Sequence, residues 1–200
     1  MMVKLAHWTV LWSAIALAAC HTAPHNKPEL PLQKIYHAPA QIFDFDLSSN
    51  VLRGAVELKQ SCNAMGTSLD IIDQQKQQVR IDTFNLHQNA SLHLTTDSDL
   101  KTINEQLIAL YQQKYQATAT SSKLLKTSQG DAMFTRLTHD QQHLDIAIQS
   151  RYGYAYVITL NSPLVQDTQT AEQLLQTLLK SLYTPSSQSK GLDTSTTHCA

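Results

Sequence analysis

The sequence is poor in the residues that usually advertise chemistry. Glycine is scarce, with 5 in 200 residues, and none of them builds a loop that could cradle phosphate; no G-x-S-x-G and no C-x-x-C occurs either. Charge is thin and balanced, 15 Lys and Arg against 16 Asp and Glu, for a formal net charge of −1. No stretch gathers basic residues, which argues against nucleic acid or an anionic lipid surface as a partner. No apolar run reaches the roughly 20 residues that a membrane-spanning helix needs. What is plentiful is glutamine, as in Gln74-Gln75-Lys76-Gln77-Gln78, which reads as a polar turn or exposed face.

The most specific pattern lies at the amino terminus. Lys4 precedes an apolar stretch from Trp8 to Leu17, with His7 just before it and Thr9 and Ser13 diluting it. This is a short basic region followed by an apolar region of signal-peptide length. Ala16-Leu17-Ala18 loosely fits an ordinary signal-peptidase site. Leu17-Ala18-Ala19-Cys20 fits more fully, and it resembles the lipobox of bacterial lipoproteins: an aliphatic residue, two small residues, then cysteine. The resemblance implies that residues 1–19 are a cleaved signal peptide. It also implies that the Cys20 thiol carries a diacylglyceryl group and that the new amino terminus is acylated. A buried chain contributes about 0.8 kcal/mol per CH₂, and a single myristoyl group holds only marginally, so two or three chains make release negligible. His21 stands where an aspartate would favour the inner membrane of a Gram-negative cell. The resemblance therefore implies an outer-membrane anchor with the domain facing the periplasm.

With Cys20 assigned to lipid, Cys62 and Cys199 remain, in a compartment where disulfides persist. Paired, they would close a loop of more than ~100 residues, for which the chain-entropy model gives about 5 kcal/mol. Unpaired, one would be a buried thiol and the other a thiol on a loose tail. Sequence alone does not show whether the two sulfurs meet; the expected state is an intramolecular Cys62–Cys199 disulfide that staples the tail onto the domain.

Residues 20–34 carry Pro24, Pro28 and Pro31 without apolar periodicity and read as a lipidated flexible tether. At about 3.1 Å per residue in polyproline geometry, it could hold a domain up to roughly 40 Å from the lipid. Residues 185–200 form a Ser/Thr-rich tail, mobile unless Cys199 pins it. The folded part is residues 35–184. Phe43, Phe45 and Leu47 alternate with Asp44 and Asp46, as in a half-buried strand. Residues 50–62 are ambiguous: Val51, Ala55, Leu58 and Cys62 share a helical face, but Gly54 weakens it. Short strands follow at 69–73 and 79–86, and another is expected at 91–95. Thr96-Asp97-Ser98-Asp99 then supplies a capped helix start, with Leu100, Ile103, Leu107, Leu110 and Tyr111 at helical spacing. Strands are expected at 118–128, 132–138, 143–150 and 152–160, broken at Gly130 and at Asp140-Gln141-Gln142. Last comes a helix with Ala171, Leu174, Leu175, Leu178, Leu179 and Leu182 on one stripe, which must bury against a sheet. Thr170 and Gln173 are its candidate cap.

This order of elements resembles the PsbP-like and DcrB-like domains, most specifically in Ser150-Arg151-Tyr152-Gly153-Tyr154-Ala155-Tyr156-Val157-Ile158-Thr159-Leu160 with the loop and leucine-rich helix after it. It implies an α/β fold in a single domain, a mostly antiparallel sheet covered by two or three helices as an α/β/α sandwich. Those families share no catalytic residues, so no active site comes with the resemblance.

Several constellations invite a chemical reading and each has a plainer one. His139 and His143 have helical metal-ligand spacing but flank an expected hairpin turn, with no further ligand cluster. His21 with His25, and His87 with His93, are no better supported. Ser98-Asp99-Leu100-Lys101 has the S-x-x-K form of penicillin-recognising enzymes, yet the companion elements are missing and Ser187-Gln188-Ser189-Lys190 repeats the form in the tail. A helix cap explains it. Tyr152, Tyr154 and Tyr156 could form a stacking platform, but Ile158 and Leu160 continue their face, which marks the packing side; Gly153, Ala155 and Val157 opposite are also mostly apolar. A central strand covered on both sides accounts for both patterns. Asp44 and Asp46 read as the solvent face of a strand.

No residue is therefore nominated as catalytic or as a metal ligand, and no cofactor is implied. The expected role is a lipid-anchored, non-catalytic binding or assembly accessory in the envelope, with the membrane and another envelope protein as partners. The competing reading is a periplasmic hydrolase or small-ligand carrier whose site is dispersed in sequence.

Overall fold

Phe43 and Phe45 are fully buried while Asp44 and Asp46 flank Phe45 half-exposed, the alternation a one-sided strand requires. The computed structural model in which this is seen describes residues 35–63, 66–87 and 92–184. Cys20, the lipobox, the tether and the tail with Cys199 lie outside the described residues.

Among the described residues, ten strands form two sheets. β1 (Ile35–His37), β2 (Asp44–Asp46) and β10 (Leu182–Tyr183) make a small sheet in the order β1-β2-β10. The larger one joins β3 (Val56–Asn63), β4 (Gly66–Asp73), β5 (Gln78–Asn85), β6 (Thr118–Thr127), β7 (Gly130–His139), β8 (Gln142–Arg151) and β9 (Tyr154–Asn161). Its order is β3-β4-β5-β9-β8-β7-β6, antiparallel throughout. Two helices accompany it, α1 (Leu100–Tyr115) and α2 (Thr168–Lys180). The chain lays down β3-β4-β5, passes through α1 to the far edge, and returns through β6, β7 and β8. β9 is thereby left to pair with β5, for example Ile81 opposite Ile158.

That closing strand is central, and both its faces are covered, as its two apolar faces require. Tyr156, Ile158 and Leu160 pack with Phe43, Phe45, Ile81, Phe134 and the α2 leucines Leu175, Leu178 and Leu179. Ala155 and Val157, on the other side, pack with Ile103, Leu107 and Tyr111 of α1 and with Leu137, Ile146 and Ile148. The stripe of α2 is thus spent on the sheet, each fully buried leucine contributing about 1.5–3 kcal/mol.

Both helices start on an aspartate. Asp99 accepts from Thr102 N at 2.7 Å and Asp167 from Thr170 N at 2.7 Å, each satisfying an orphan amide of the first turn. The first helix therefore begins where the sequence places it. The second is capped three residues before Thr170, the expected cap. Leu182 leaves the helical stripe and is buried within β10.

Two local expectations need correction and one ambiguous stretch is resolved. Residues 92–95 carry no strand: His93 turns to a left-handed φ of 49°, Ser98 Oγ accepts from Thr95 N, and Leu94 packs on the α1 side. The ambiguous stretch resolves as strand over residues 56–63, and just ahead of it Gly54 has φ +76°, where a Cβ would collide with the Gln74 side chain. Tyr152 belongs to the turn before β9, 55% exposed with φ +51°, ahead of Gly153 at +78°. That pair of positive φ values is the turn a two-residue hairpin prefers.

Candidate functional site

The residues that the sequence singled out are dispersed and locally engaged. His139 Nδ1 lies 2.9 Å from Gln116 O, and His143 Nδ1 lies 3.2 Å from Thr138 Oγ1. Ser98 accepts a main-chain amide hydrogen bond, and Lys101 Nζ lies 3.9 Å from Glu105, so the S-x-x-K pair belongs to a helix start. Asp44 meets His37 at 2.8 Å, while Asp46 accepts from Ser48 N at 2.8 Å. His87 and His93 are exposed. Within the glutamine run, Gln77 departs from the exposed reading: it is buried, and its Nε2 donates to Val51 O at 2.8 Å. Among the described residues, no three His, Cys, Asp or Glu side chains converge as a metal site. Cys62 stands on β3 with its sulfur 3.6 Å from Thr67 Oγ1.

A different group of residues does converge. On β4, Leu69 and Ile71 go to the α2 side, which turns Ser68 and Asp70 to the other side. On β5, Val79 and Ile81 do the same and turn Arg80, Asp82 and Phe84 with them. Registry puts Ser68 opposite Asp82 and Asp70 opposite Arg80. α1 covers only part of this side, and where it stops a cleft of about 340 Å³ opens. Its walls are the Ser68, Arg80, Asp82 and Phe84 side of the sheet and the Leu110, Tyr111 and Lys114 side of α1. Gly66 borders it, and any side chain there would strike the Thr83 main-chain oxygen.

Asp82 is the hub. Its side chain is 8% exposed. Arg80 Nε donates to both of its oxygens, at 2.9 and 3.0 Å. Ser68 Oγ donates to Oδ1 and Tyr111 Oη to Oδ2. Arg80 Nη1 also donates to both oxygens of Asp70, at 3.0 Å each. A buried carboxylate is tolerable only when paired and hydrogen-bonded, and this one is. Burial works against the Arg80 charge, but Asp82 and Asp70 outweigh it and hold its pKa above the ordinary value. Burial pushes the Tyr111 phenol well above its ordinary value, and the neighbouring Asp82 charge adds to that. Tyr111 therefore stays a neutral donor. At the mouth, Tyr111 stacks on Tyr115 at 6.1 Å, and Lys114 Nζ sits 5.0 Å from the Tyr115 ring centroid and 5.9 Å from that of Tyr111.

The cleft offers an apolar wall, a neutralised polar floor and a cation at its lip, within the size range of small-molecule sites. It suits a small amphipathic ligand. Sequence reasoning missed it because Arg80 and Asp82 alternate with apolar residues, the pattern of an ordinary solvent face. Only α1, arriving from outside the meander, makes that face a wall.

Two other arginines deserve comparison. Arg136, opposite Asp145 on β7–β8, donates to both its oxygens at 2.7 and 3.0 Å, with side chains 6% and 3% exposed. It also donates to Gln166 O at 2.9 Å and Asp167 O at 3.1 Å, tying the start of α2 to the sheet. Arg151 donates to Gln129 Oε1 at 3.1 Å, but its buried Nε and Nη2 have no partner among the described residues. Burial lowers its pKa.

No family model matches the chain, and no curated protein matches it in sequence. Solved structures match it in shape. One is the solution structure of cyanobacterial PsbP (CyanoP) from Synechocystis sp. PCC 6803, with TM-score 0.53 and 9% identity over 76% of this chain and 91% of that one. Another is a crystal structure from Bacteroides thetaiotaomicron VPI-5482, with TM-score 0.46 and 12% identity over 79% of this chain and 50% of that one; likeness at that level carries no argument. The first bears out the PsbP-like resemblance for the fold alone.

Proposed function

We propose that this chain is a lipid-anchored envelope protein that binds a small amphipathic ligand without transforming it. Residues 35–184 form one α/β/α-sandwich domain in the periplasm, held at the outer membrane by lipid on Cys20. A Cys62–Cys199 disulfide staples the tail to the domain. The lipobox resemblance supports the anchor, and the two apolar clusters on opposite sides of β9 support the sandwich.

The observation that carries the binding role is the cleft beside Asp82. A small-ligand site dispersed in sequence is what the competing reading asked for, and Ser68, Arg80, Asp82, Tyr111 and Lys114 come from three elements. Its chemistry favours holding over catalysis. Arg80 neutralises the Asp82 carboxylate, and Ser68 and Tyr111 donate to it, so neither hydroxyl meets an available base.

Native mass spectrometry of the full chain extracted from its own envelope tests the binding role. A small molecule should accompany the wild type and be lost from Leu110→Trp, which fills the cleft from α1 without touching the Asp82 network. If the wild type carries nothing, or the variant keeps its passenger, the cleft is not a binding site. The anchor is tested separately with a fatty-acid analogue. Cys20→Ser should lose the label and leave the membrane fraction; retention of both would remove the lipid assignment.

A further inference from the structure

The larger sheet has two outer strands, β3 and β6, and they are finished differently. An open edge is a template for another strand unless charge, a bulge or a cover blunts it. On β6, Lys123 pairs with Glu172 at 2.5 Å and Lys126 with Asp131 at 2.7 Å, and the register slips between Ala119 and Ser121. Its charges are used within the chain and its edge is bent by the bulge. β3 runs eight residues in unbroken register with β4. Residues 57–61 are exposed, and Leu58 keeps 41% of its surface. Glu57 and Lys59 on either side of it have no ion-pair partner among the described residues.

The order Glu57-Leu58-Lys59 is self-complementary. We propose that β3 is a docking edge for a second copy of this chain, whose own β3 adds antiparallel about a two-fold axis at Leu58. That register sets Leu58 against Leu58, Glu57 against Lys59 twice, and Val56 against Gln60 twice. Moving two residues either way sets Glu57 against Glu57 or Lys59 against Lys59. Opposite charges directly across a strand pair attract and like charges repel, so one register is selected and its neighbours are penalised. The apolar centre comes from Leu58, which shares a face with Ile71, and from half-buried Val56. The two-fold axis stands perpendicular to the sheet. It therefore puts both clefts on the same side of one continuous sheet, with Glu57 and Lys59 between them. A single strand pair buries little area, which makes this a weak, reversible contact.

Sedimentation equilibrium of the full-length protein in density-matched detergent tests the proposal. A reversible monomer–dimer equilibrium is expected. Lys59→Glu should weaken it about tenfold, since two attractive pairs become repulsive. Lys59→Gln should fall between, and the swap Glu57→Lys/Lys59→Glu should return to within about threefold of the wild type. Leu124→Asp on β6 should change nothing. All of these positions are exposed, and circular dichroism with a melting curve verifies that each variant folds. A chain monomeric to ~1 mM, a dimer indifferent to Lys59→Glu, a swap that fails to recover, or a loss caused by Leu124→Asp would each overturn the proposal.

Discussion

Arg136 and Arg80 stand on opposite sides of the same sheet, each locked to an aspartate, and their surroundings assign them different work. Arg136 and Asp145 are sealed under the start of α2, and the remaining Arg136 donors are spent on Gln166 and Asp167 carbonyls. Arg80 is shared between Asp82 and Asp70, about a quarter exposed, at the border of an open cleft. The ion-pair chemistry is the same, but on one side a helix finishes the cover and on the other α1 stops short. A charged pair on a sheet face becomes a structural lock or a site wall according to what the rest of the chain lays over it. The side chains themselves do not decide it.

The largest effect should come from breaking the sealed pair. Arg136→Met leaves Asp145 buried without its partner, a loss of about 3–5 kcal/mol. Chemical denaturation should show this as a lower midpoint with an unchanged slope. Adding Asp145→Leu should recover most of it, short of the two helix-start carbonyls that Arg136 also holds. A single variant as stable as the wild type would mean that the pair is no lock.

These two arginines also mark where the sequence was readable. The antiparallel run β6 to β9, the α2 stripe and the two-sided burial of β9 were legible, because apolar periodicity reports directly on burial. Tyr156 illustrates it: continuity with Ile158 and Leu160 placed it on the packing side, and it is fully buried with Oη donating to Ile42 O. The departures occur where one backbone angle or one distant neighbour decides. His93 and Gly54 redirect short segments through positive φ, and the Asp167 cap lies just ahead of the residues that carry the helical pattern. Asp82 was not singled out, because its burial depends on Tyr111, 29 residues away.

On the open side, the comparison sharpens through Tyr111→Phe. Asp82 would lose one donor but keep Arg80 and Ser68, so the cost is about 1–3 kcal/mol, less than at Arg136. The alkaline limb of the stability profile should change too. The folded phenol has its pKa raised, so its contribution is fully present below the unfolded value of ~10 and is lost as pH rises from there through the folded value. In Tyr111→Phe that part of the alkaline loss should disappear. If melting of wild type and variant falls in parallel above pH ~10, Tyr111 is not held as a buried neutral donor.

The smallest effect, and the only gain, should come from the third arginine. Arg151 has neither the carboxylate of Arg136 nor the pair of carboxylates at Arg80. Its Nη1 reaches Gln129, and two buried nitrogens are left over among the described residues. Leaving a buried donor unsatisfied costs about 1–3 kcal/mol, more than the single hydrogen bond to Gln129 returns. Arg151→Met keeps the aliphatic stem and removes the guanidinium, so the melting temperature should rise by about 2–4 °C for a domain of this size. Arg151→Lys is the control: it keeps a charge without a partner and should give no gain. The two arginines that have aspartates should never respond this way to Met. A fall in melting temperature for Arg151→Met would show that the guanidinium is compensated in the folded protein, making Arg151 a third locked arginine and not an uncompensated one.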